Sequence, residues 1–341
     1  MKALVLEGAT LGSLVVRDRP IPVVGGHDVL LRTRAASLNY RDIAIARGEY
    51  GAYQRPLILG SDAVGEVVEV GAGVTRFSKG DRVCPTDTPD WIAGPPDERS
   101  LSRRLGGPAD GVFAEFFAVP ESAAVSAPRH LTDVEAATLS SAGVTAWRAL
   151  FVLGGVVPGD TVVVEGTGGV ALFALQLARL ANARVVALSR SAAKLDRARA
   201  LGATDAIDTT ATPEWDAEVR RLTGGRGADF VVNVVGGASL GRSIGACRVG
   251  GKVIVLGFLD GPTASLDVVS AIRRGVSLHT STGRSRENFE AMNRAIEAAA
   301  MRPVVDRVFP FERVLEAFAY LESGAMFGKI GLEFAAATSQ R

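Results

Sequence analysis

The sequence predicts an α/β protein. It has a doubly wound parallel sheet, covered on both faces by helices, with a β-rich domain in front of it. Three observations carry this reading. From about Thr161, continuously apolar runs alternate with helical patterns, which is the rhythm of a buried parallel sheet. Roughly the first 125 residues show short β-runs between turn signals instead. The 341 residues also exceed what one hydrophobic core usually supports.

Taken in order, the β-runs of the first part are Lys2–Leu6, Val29–Thr33, Gly65–Val70 and Phe113–Val119. VGGHD (Val24–Asp28) and SKGDRV (Ser78–Val83) punctuate them. The stretch Thr86–Gly111 is long, irregular and rich in Pro, Gly and charge, as a functional or mobile loop would be. The second part pairs TVVVEG with the helix Val170–Ala181, then ARVVALS with SAAKLDRARALGA. TDAID, a WDAEVRRLTGG helix, ADFVVNVVG, an SLGRSIGACRVGG helix and KVIVLGF follow. Val276–Thr282 (VSLHTST) reads as an edge strand, and an exposed edge invites pairing with a second copy. The patterning is mixed again after about Ser281. There FERVLEAFAYLESGAMFGKIGLEF reads as a helix and a closing strand.

Composition narrows the function classes. At 47% hydrophobic, 22% charged and net charge +1, nothing favours nucleic acid or an anionic membrane as partner. Two cysteines, Cys84 and Cys247, cannot build a disulfide framework or a cysteine-based zinc lobe. MKALVLEG reads as a strand rather than a signal peptide. The longest apolar helix is interrupted by Gln176 and Arg179 and falls short of the roughly 20 residues a membrane span needs. The expectation is a cytoplasmic protein acting on a small molecule.

Thr161–Ala171 (TVVVEGTGGVA) is the strongest local signal. A strand runs into glycines and then a helix. Gly166 permits the tight turn, and Gly168 lets the backbone approach a pyrophosphate at the helix N-terminus. Ala171 stands where the third glycine of the motif would be. Gly166, Thr167, Gly168, Gly169 and Val170 are therefore assigned to a dinucleotide. The next strand ends in Ser189-Arg190-Ser191, with Lys194 close behind and no carboxylate before Asp196. An acid there would hold ribose hydroxyls. A hydroxyl with Arg190 and Lys194 suits a 2′-phosphate, so NADPH is expected over NADH.

With these residues in view, the chain resembles the medium-chain dehydrogenase/reductase superfamily over essentially its whole length. AASLNYRD (Ala35–Asp42), GSDAVGEVVEVGAGVTRFSKGDRV (Gly60–Val83), SAGVTAWRAL (Ser141–Leu150), GTGGVALFALQLA and FGKIGL carry the resemblance. It is similar to the quinone oxidoreductases and zinc-type alcohol dehydrogenase-like proteins. The resemblance implies a GroES-like catalytic domain, 1–125 and 283–341, around a Rossmann domain, 126–282. It also implies a homodimer formed by joining sheet edges.

Relatives hold a catalytic zinc with a Cys, a His-Glu pair and a second Cys. By the resemblance these places are Asn39, Ser61-Asp62 and about Ser141. Only Asp62 keeps a metal-binding group, and Thr86–Gly111 lacks the cysteines of a structural zinc lobe. His27, His130 and His279 lie outside the motifs. The expectation is no metal. Zinc-free relatives typically reduce an activated C=C bond or a quinone. Asn39 and Tyr40 are then candidate donors to the substrate carbonyl. Ser61 and Ser141 are candidates to hold a water at the emptied site, and Asp62 either fixes that water or pairs with Arg41. Asn39 capping the following helix, and Tyr40 as a core aromatic, are the architectural alternatives.

The resemblance further places Thr145 at the nicotinamide and Leu256-Gly257-Phe258 at its carboxamide. Val234 and Val235 lie along the cofactor path, and Lys329 sits on the pyrophosphate or at the surface. Arg284 and Arg286 are weaker candidates, for the phosphate end or to cover the site. Trp91, in the long insert, either covers the substrate or anchors the loop. Two rivals stay open: an NAD(P)-dependent alcohol dehydrogenase or carbonyl reductase, and an NADPH-binding protein with little turnover.

Overall fold

The computed structural model describes residues 1–281 and 283–335. It divides into two compact units, Met1–Val144 with Gly283–Arg341, and Thr145–Thr282.

The first unit is organised by one long strand, Asp28–Leu38, whose β-rich, mostly apolar sequence is buried nearly throughout. It lies within a sheet ordered Val305–Pro310, Lys329–Glu333, Asp28–Leu38, Ala63–Val70, Arg82–Pro85 and Ala124–Ser126, and Phe116–Pro120 pairs beside its first half. A smaller sheet joins Leu14–Asp18, Lys2–Leu6 and Leu57–Ile58. Leu31, Ile43, Leu59, Phe113, Phe318 and Ile330 sit in the core beneath. Burying such side chains contributes roughly 1.5–3 kcal/mol each.

The register of the long strand positions the site. Leu38 faces Ile330, and Ala36 faces both Leu332 and Ala63. The end of the strand therefore brings residues 38–39, 61–62 and 329 to one place. The Ser37 N–H donates to the Asp62 carbonyl at 3.1 Å, and its hydroxyl donates to the Ile330 carbonyl at 2.9 Å.

Three local expectations are corrected. The first crossover falls between Val144 and Thr145 rather than at 125/126. Ala124–Ser126 pairs with Arg82–Pro85, and the helix Asp133–Ala137 packs on the first unit's strands. The run expected at Phe113–Val119 is a strand only from Phe116, because Val112 and Phe113 bond back to Gly60 and Leu59. The helix expected through SLGRSIGACRVGG stops at Ala246, since Cys247 turns extended and pairs with Ala228 as the start of the next strand.

The second unit is a six-stranded, all-parallel sheet. Its spatial order is Asp205–Asp208, Arg184–Ser189, Thr161–Glu165, Ala228–Asn233, Cys247–Val255 and Ser277–Thr280. In chain order this reads 3-2-1-4-5-6, so the order reverses between the first and fourth strands. Doubly wound folds bind ligands at such a switch point. Val163, Val186, Val231 and Val253 form the apolar middle, as continuous β-branched runs require. Ser277–Thr280 is the outer strand, while Thr282 lies outside the described residues.

Candidate functional site

In the first unit the chain assembles a buried ionic knot. Lys329 opens the closing strand directly before Ile330, so the pairing with Leu38 carries its side chain to the strand end. Its ammonium donates to Asp62 Oδ2 at 3.0 Å, to Asn39 Oδ1 at 2.6 Å and to the Leu38 carbonyl at 2.8 Å. Asn39 Nδ2 also donates to Asp62 Oδ2, at 2.9 Å. The side chains of Lys329 and Asp62 are 3% and 0% exposed.

An ammonium has three donors, and all three are used here. The pyrophosphate role expected for Lys329 is therefore corrected: its hydrogen bonds are spent on Leu38, Asn39 and Asp62, and its side chain is not at the surface.

Asn39 stands at the N-cap of the helix Tyr40–Ala46, and the Asp42 carboxylate accepts the Asn39 N–H at 2.8 Å. Asp42 is fully buried, and burial pushes its carboxyl up to about 7. Ser61 Oγ and Asp62 Oδ1 are buried and have no hydrogen-bond partner among the described residues. Tyr40 is half-buried, with its hydroxyl 3.4 Å from Glu49 Oε2. Burial, then the Glu49 charge, raises its phenol. Ser141 is 3% exposed in the π-helical turn Leu139–Gly143, a geometry frequent at functional sites.

Trp91 is 1% exposed and donates from Nε1 to the Gly94 carbonyl at 3.0 Å. Its own carbonyl accepts the Arg286 N–H. This is the anchoring alternative; the covering role is corrected, because the ring is buried within the first unit.

This donor set does not fit zinc. An amide and hydroxyls are weak ligands, and a lysine ammonium already holds the Asp62 carboxylate. Among the described residues no three His, Cys, Asp or Glu side chains cluster as a metal site. His130 Nε2 lies 2.9 Å from the Met301 carbonyl and His27 lies beside Glu121, away from the knot.

In the second unit the residues fit a dinucleotide. Gly166 has φ +83°, which a side chain would strain. Gly168 is the N-cap of the helix Gly169–Leu180, whose first N–H groups are the natural partners of phosphate. Gly166, Gly168, Gly169 and Val170 are half-buried, and Thr167 is 6% exposed. Val234, Val235, Leu256, Gly257 and Phe258 are half-buried just past their strands. A Cβ on Gly257 would lie 2.2 Å from the Val234 carbonyl oxygen, so only glycine allows these two ends to meet. Thr145, 4% exposed, is the first residue of this unit.

Ser189 and Lys194 are half-buried and Arg190 is exposed. Ser189 Oγ accepts the Ser191 N–H at 3.2 Å, and Ser191 caps the helix Ala192–Ala200. The acid opposite Ser189 in register is Asp208, whose Oδ1 is taken by the Thr210 and Ala211 N–H groups.

Two features escaped the sequence reading. One is the Asp62–Lys329 pairing, signalled only by a lysine opening an apolar closing strand. The other is Glu165, an acid ending the apolar run TVVVE. It accepts from Ser243 Oγ at 2.6 Å, from Asn233 Nδ2 at 3.1 Å and from Ser239 Oγ. Asn233 Oδ1 in turn accepts the Gly236 N–H at 2.7 Å. Glu165 thereby ties the first and fourth strands together behind the glycine loop. Burial pushes its carboxyl up to about 7.

A glycine loop at the switch point of a doubly wound sheet defines the class, a dinucleotide-binding protein. Comparison with known proteins agrees. The alcohol dehydrogenase GroES-like domain matches residues 25–129, and the zinc-binding dehydrogenase family matches residues 169–298. Zinc-type alcohol dehydrogenase-like protein C1773.06c of Schizosaccharomyces pombe is 39% identical over 315 residues, 90% of each chain. The chain belongs to the medium-chain dehydrogenase/reductase superfamily. A crystal structure of an NAD-dependent alcohol dehydrogenase is 34% identical with a TM-score of 0.89, covering 98% of this chain and 100% of that one. The 2-octenoyl-CoA carboxylase reductase CinF, in complex with NADP and 2-octenoyl-CoA, is 26% identical with a TM-score of 0.87, covering 99% and 88%.

Proposed function

We propose that this chain is an NADPH-dependent, zinc-independent reductase of an activated C=C bond, as in an enone, or of a quinone. The observation that carries the reading is the Asn39–Asp62–Lys329 knot. The carboxylate that would serve a metal instead serves an ammonium, and an amide stands beside it. A reduced nicotinamide on the Gly166–Val170 loop supplies, when bound, the hydride that adds to the β-carbon.

Negative charge then develops on the substrate's carbonyl oxygen. Asn39 Nδ2 has one N–H left after Asp62 and is the donor proposed for that oxygen. Lys329 and Asp62 fix the amide's orientation by holding its two ends. Ser61 Oγ and Asp62 Oδ1 hold a water that delivers the proton completing the saturated product. Tyr40 is the second candidate donor; its raised phenol and its Glu49 contact favour a hydrogen-bonding role over proton release.

NADPH preference rests on Ser189, Arg190 and Lys194, with no acid in that turn. A homodimer rests on the outer strand Ser277–Thr280 and the exposed apolar side chains Val268, Val269, Ile272 and Leu278 beside it. A cytoplasmic setting rests on two buried free thiols, Cys84 and Cys247, and no described helix is long and apolar enough to cross a membrane.

Product analysis tests the reading. Chelator-treated protein is incubated with NADPH and an α,β-unsaturated ketone, and the product is identified by mass and NMR. A saturated ketone is expected, with Asn39→Ala lowering kcat/KM by about 10²-fold. An allylic alcohol, or activity that returns only with added zinc, overturns it.

A further inference from the structure

A single buried carboxyl stands behind the crevice of the second unit. Glu165 ends the strand Thr161–Glu165, directly before Gly166, and is 3% exposed. Val164 pairs with Val232 on the neighbouring strand, so Asn233 comes level with Glu165 where the pairing stops. These two strand ends are the two sides of the switch point.

Four side chains interlock there. Glu165 Oε1 accepts from Ser243 Oγ at 2.6 Å and from Asn233 Nδ2 at 3.1 Å, and Oε2 accepts from Ser239 Oγ. Ser239 and Ser243 lie four residues apart on the helix Ser239–Ala246, so they share a face. Asn233 Nδ2 also donates to Ser243 Oγ at 2.9 Å, and Asn233 Oδ1 accepts the Gly236 N–H at 2.7 Å. Hydroxyls and an amide face the carboxyl, and no charged group acts on it, so no ion pair accounts for an acid at this place.

An apolar residue would continue the TVVV run without burying an ionisable group, and a buried carboxyl is costly unless its hydrogen bonds are met. A satisfied polar network, by contrast, rigidifies its surroundings and specifies one arrangement. Here it specifies the crevice. On one side Gly166 opens the phosphate loop directly after Glu165. On the other, the Gly236 turn follows Asn233, and a Cβ on Gly236 would lie 2.7 Å from the Gly257 carbonyl oxygen, so the turn rests on residues 256–258. The Leu256 N–H in turn donates to the Asn233 carbonyl at 2.8 Å. Both sides therefore hang on the same four side chains.

We infer that Glu165 and Asn233 are positioning residues for the dinucleotide, holding both sides of the crevice in the binding arrangement before the cofactor arrives. This rests on dinucleotide binding and not on the C=C reduction proposed above. A segment that is already ordered loses no further freedom on binding, so the hub acts on affinity.

The test is calorimetry of NADPH and NADH binding to the whole protein, with thermal midpoints measured on the same samples. Glu165→Leu keeps the strand apolar and removes the acceptor; it should weaken both dinucleotides about tenfold or more, by the same factor. Equal factors are expected because the hub lies behind the parts that the two dinucleotides share, away from Ser189. Glu165→Gln keeps an acceptor oxygen and gains a donor, so it should bind within about twofold of the parent. A lowered midpoint with unchanged affinity in Glu165→Leu makes the hub scaffolding alone and overturns the inference. A loss in Glu165→Gln as large as in Glu165→Leu, or a loss confined to NADPH, overturns it too. If Glu165→Leu does not fold, Ser243→Ala decides, since it removes one donor: severalfold weaker binding sustains the inference, and unaltered affinity removes it. A parent that binds neither dinucleotide removes both this inference and the dinucleotide reading, whereas a failure of C=C reduction leaves the binding result standing.

Discussion

Replacing Lys329 with Met removes one charge and leaves the stem's volume nearly unchanged. The cost follows from what is stranded. Asp62 is 0% exposed, and one of its oxygens already has no partner. Without the ammonium, the folded protein must keep an unpaired buried carboxylate or take up a proton. Breaking a buried pair costs about 3–5 kcal/mol. Protonating an ordinary aspartate costs about 4 kcal/mol at pH 7 and about 1.5 kcal/mol at pH 5, which caps the penalty at each pH. Lys329→Met should therefore lose about 3–4 kcal/mol at neutral pH and markedly less at pH 5. Asp62→Asn in the same background removes the stranded charge, so the double variant should be more stable at neutral pH than the sum of the two single changes predicts. The expected coupling is about 2–3 kcal/mol. Urea unfolding of the four proteins at both pH values, followed by tryptophan fluorescence, measures it. Additive changes that do not vary with pH would refute the reasoning, because they would mean that Lys329 and Asp62 do not depend on each other.

Three other outcomes are expected. The Glu165 carboxyl is raised from 4.5 to about 7 by burial, so the folded protein keeps a proton there that the unfolded chain releases. Its contribution is complete below about pH 4.5 and is lost as pH rises through about 7. Glu165→Gln should flatten that part of the stability–pH curve by up to about 3 kcal/mol, read from denaturation midpoints, and an unchanged slope would count against it. Ser189→Asp places a negative charge where the 2′-phosphate is proposed; KM for NADPH should rise about tenfold or more while NADH improves, and unaltered relative affinities would sink the assignment. Ile272→Asp puts a charge on a side chain that is 72% exposed beside the outer strand. Sedimentation should then show monomer where the parent shows dimer, and a parent that is already monomeric removes the dimer reading.

How much of this was legible depended on the range of the interaction. The parallel sheet was readable because each strand is a continuous apolar run bounded by its own helix, a local pattern. Gly166 was readable because its φ of +83° is a local demand that glycine meets. The end of the helix at Ala246 was not, because Cys247 is set extended by pairing with Ala228, far away in sequence. The placement of Lys329 was missed for the same reason. A lysine before an apolar strand is ordinarily a surface residue, and only the register of Leu38 against Ile330 brings it beside Asp62. Trp91 looked mobile in a loop of Pro, Gly and charge, yet Asp87, Arg104 and Arg284 pin that loop from within.

The knot in the first unit stabilises charge differently from a metal. A divalent metal stabilises a developing oxyanion by its own charge, with open coordination positions. The Lys329 ammonium brings a charge but no open position, since Leu38, Asn39 and Asp62 take its three donors. Its effect on a substrate must therefore pass through Asn39, whose amide it polarises at Oδ1 while the remaining N–H of Nδ2 donates. An amide hydrogen bond is a weaker stabiliser than a metal, so it suits an acceptor whose negative charge is already delocalised, as in an enolate. It suits an isolated alkoxide poorly. Loss of Asn39 in Asn39→Ala should therefore act on kcat rather than on KM.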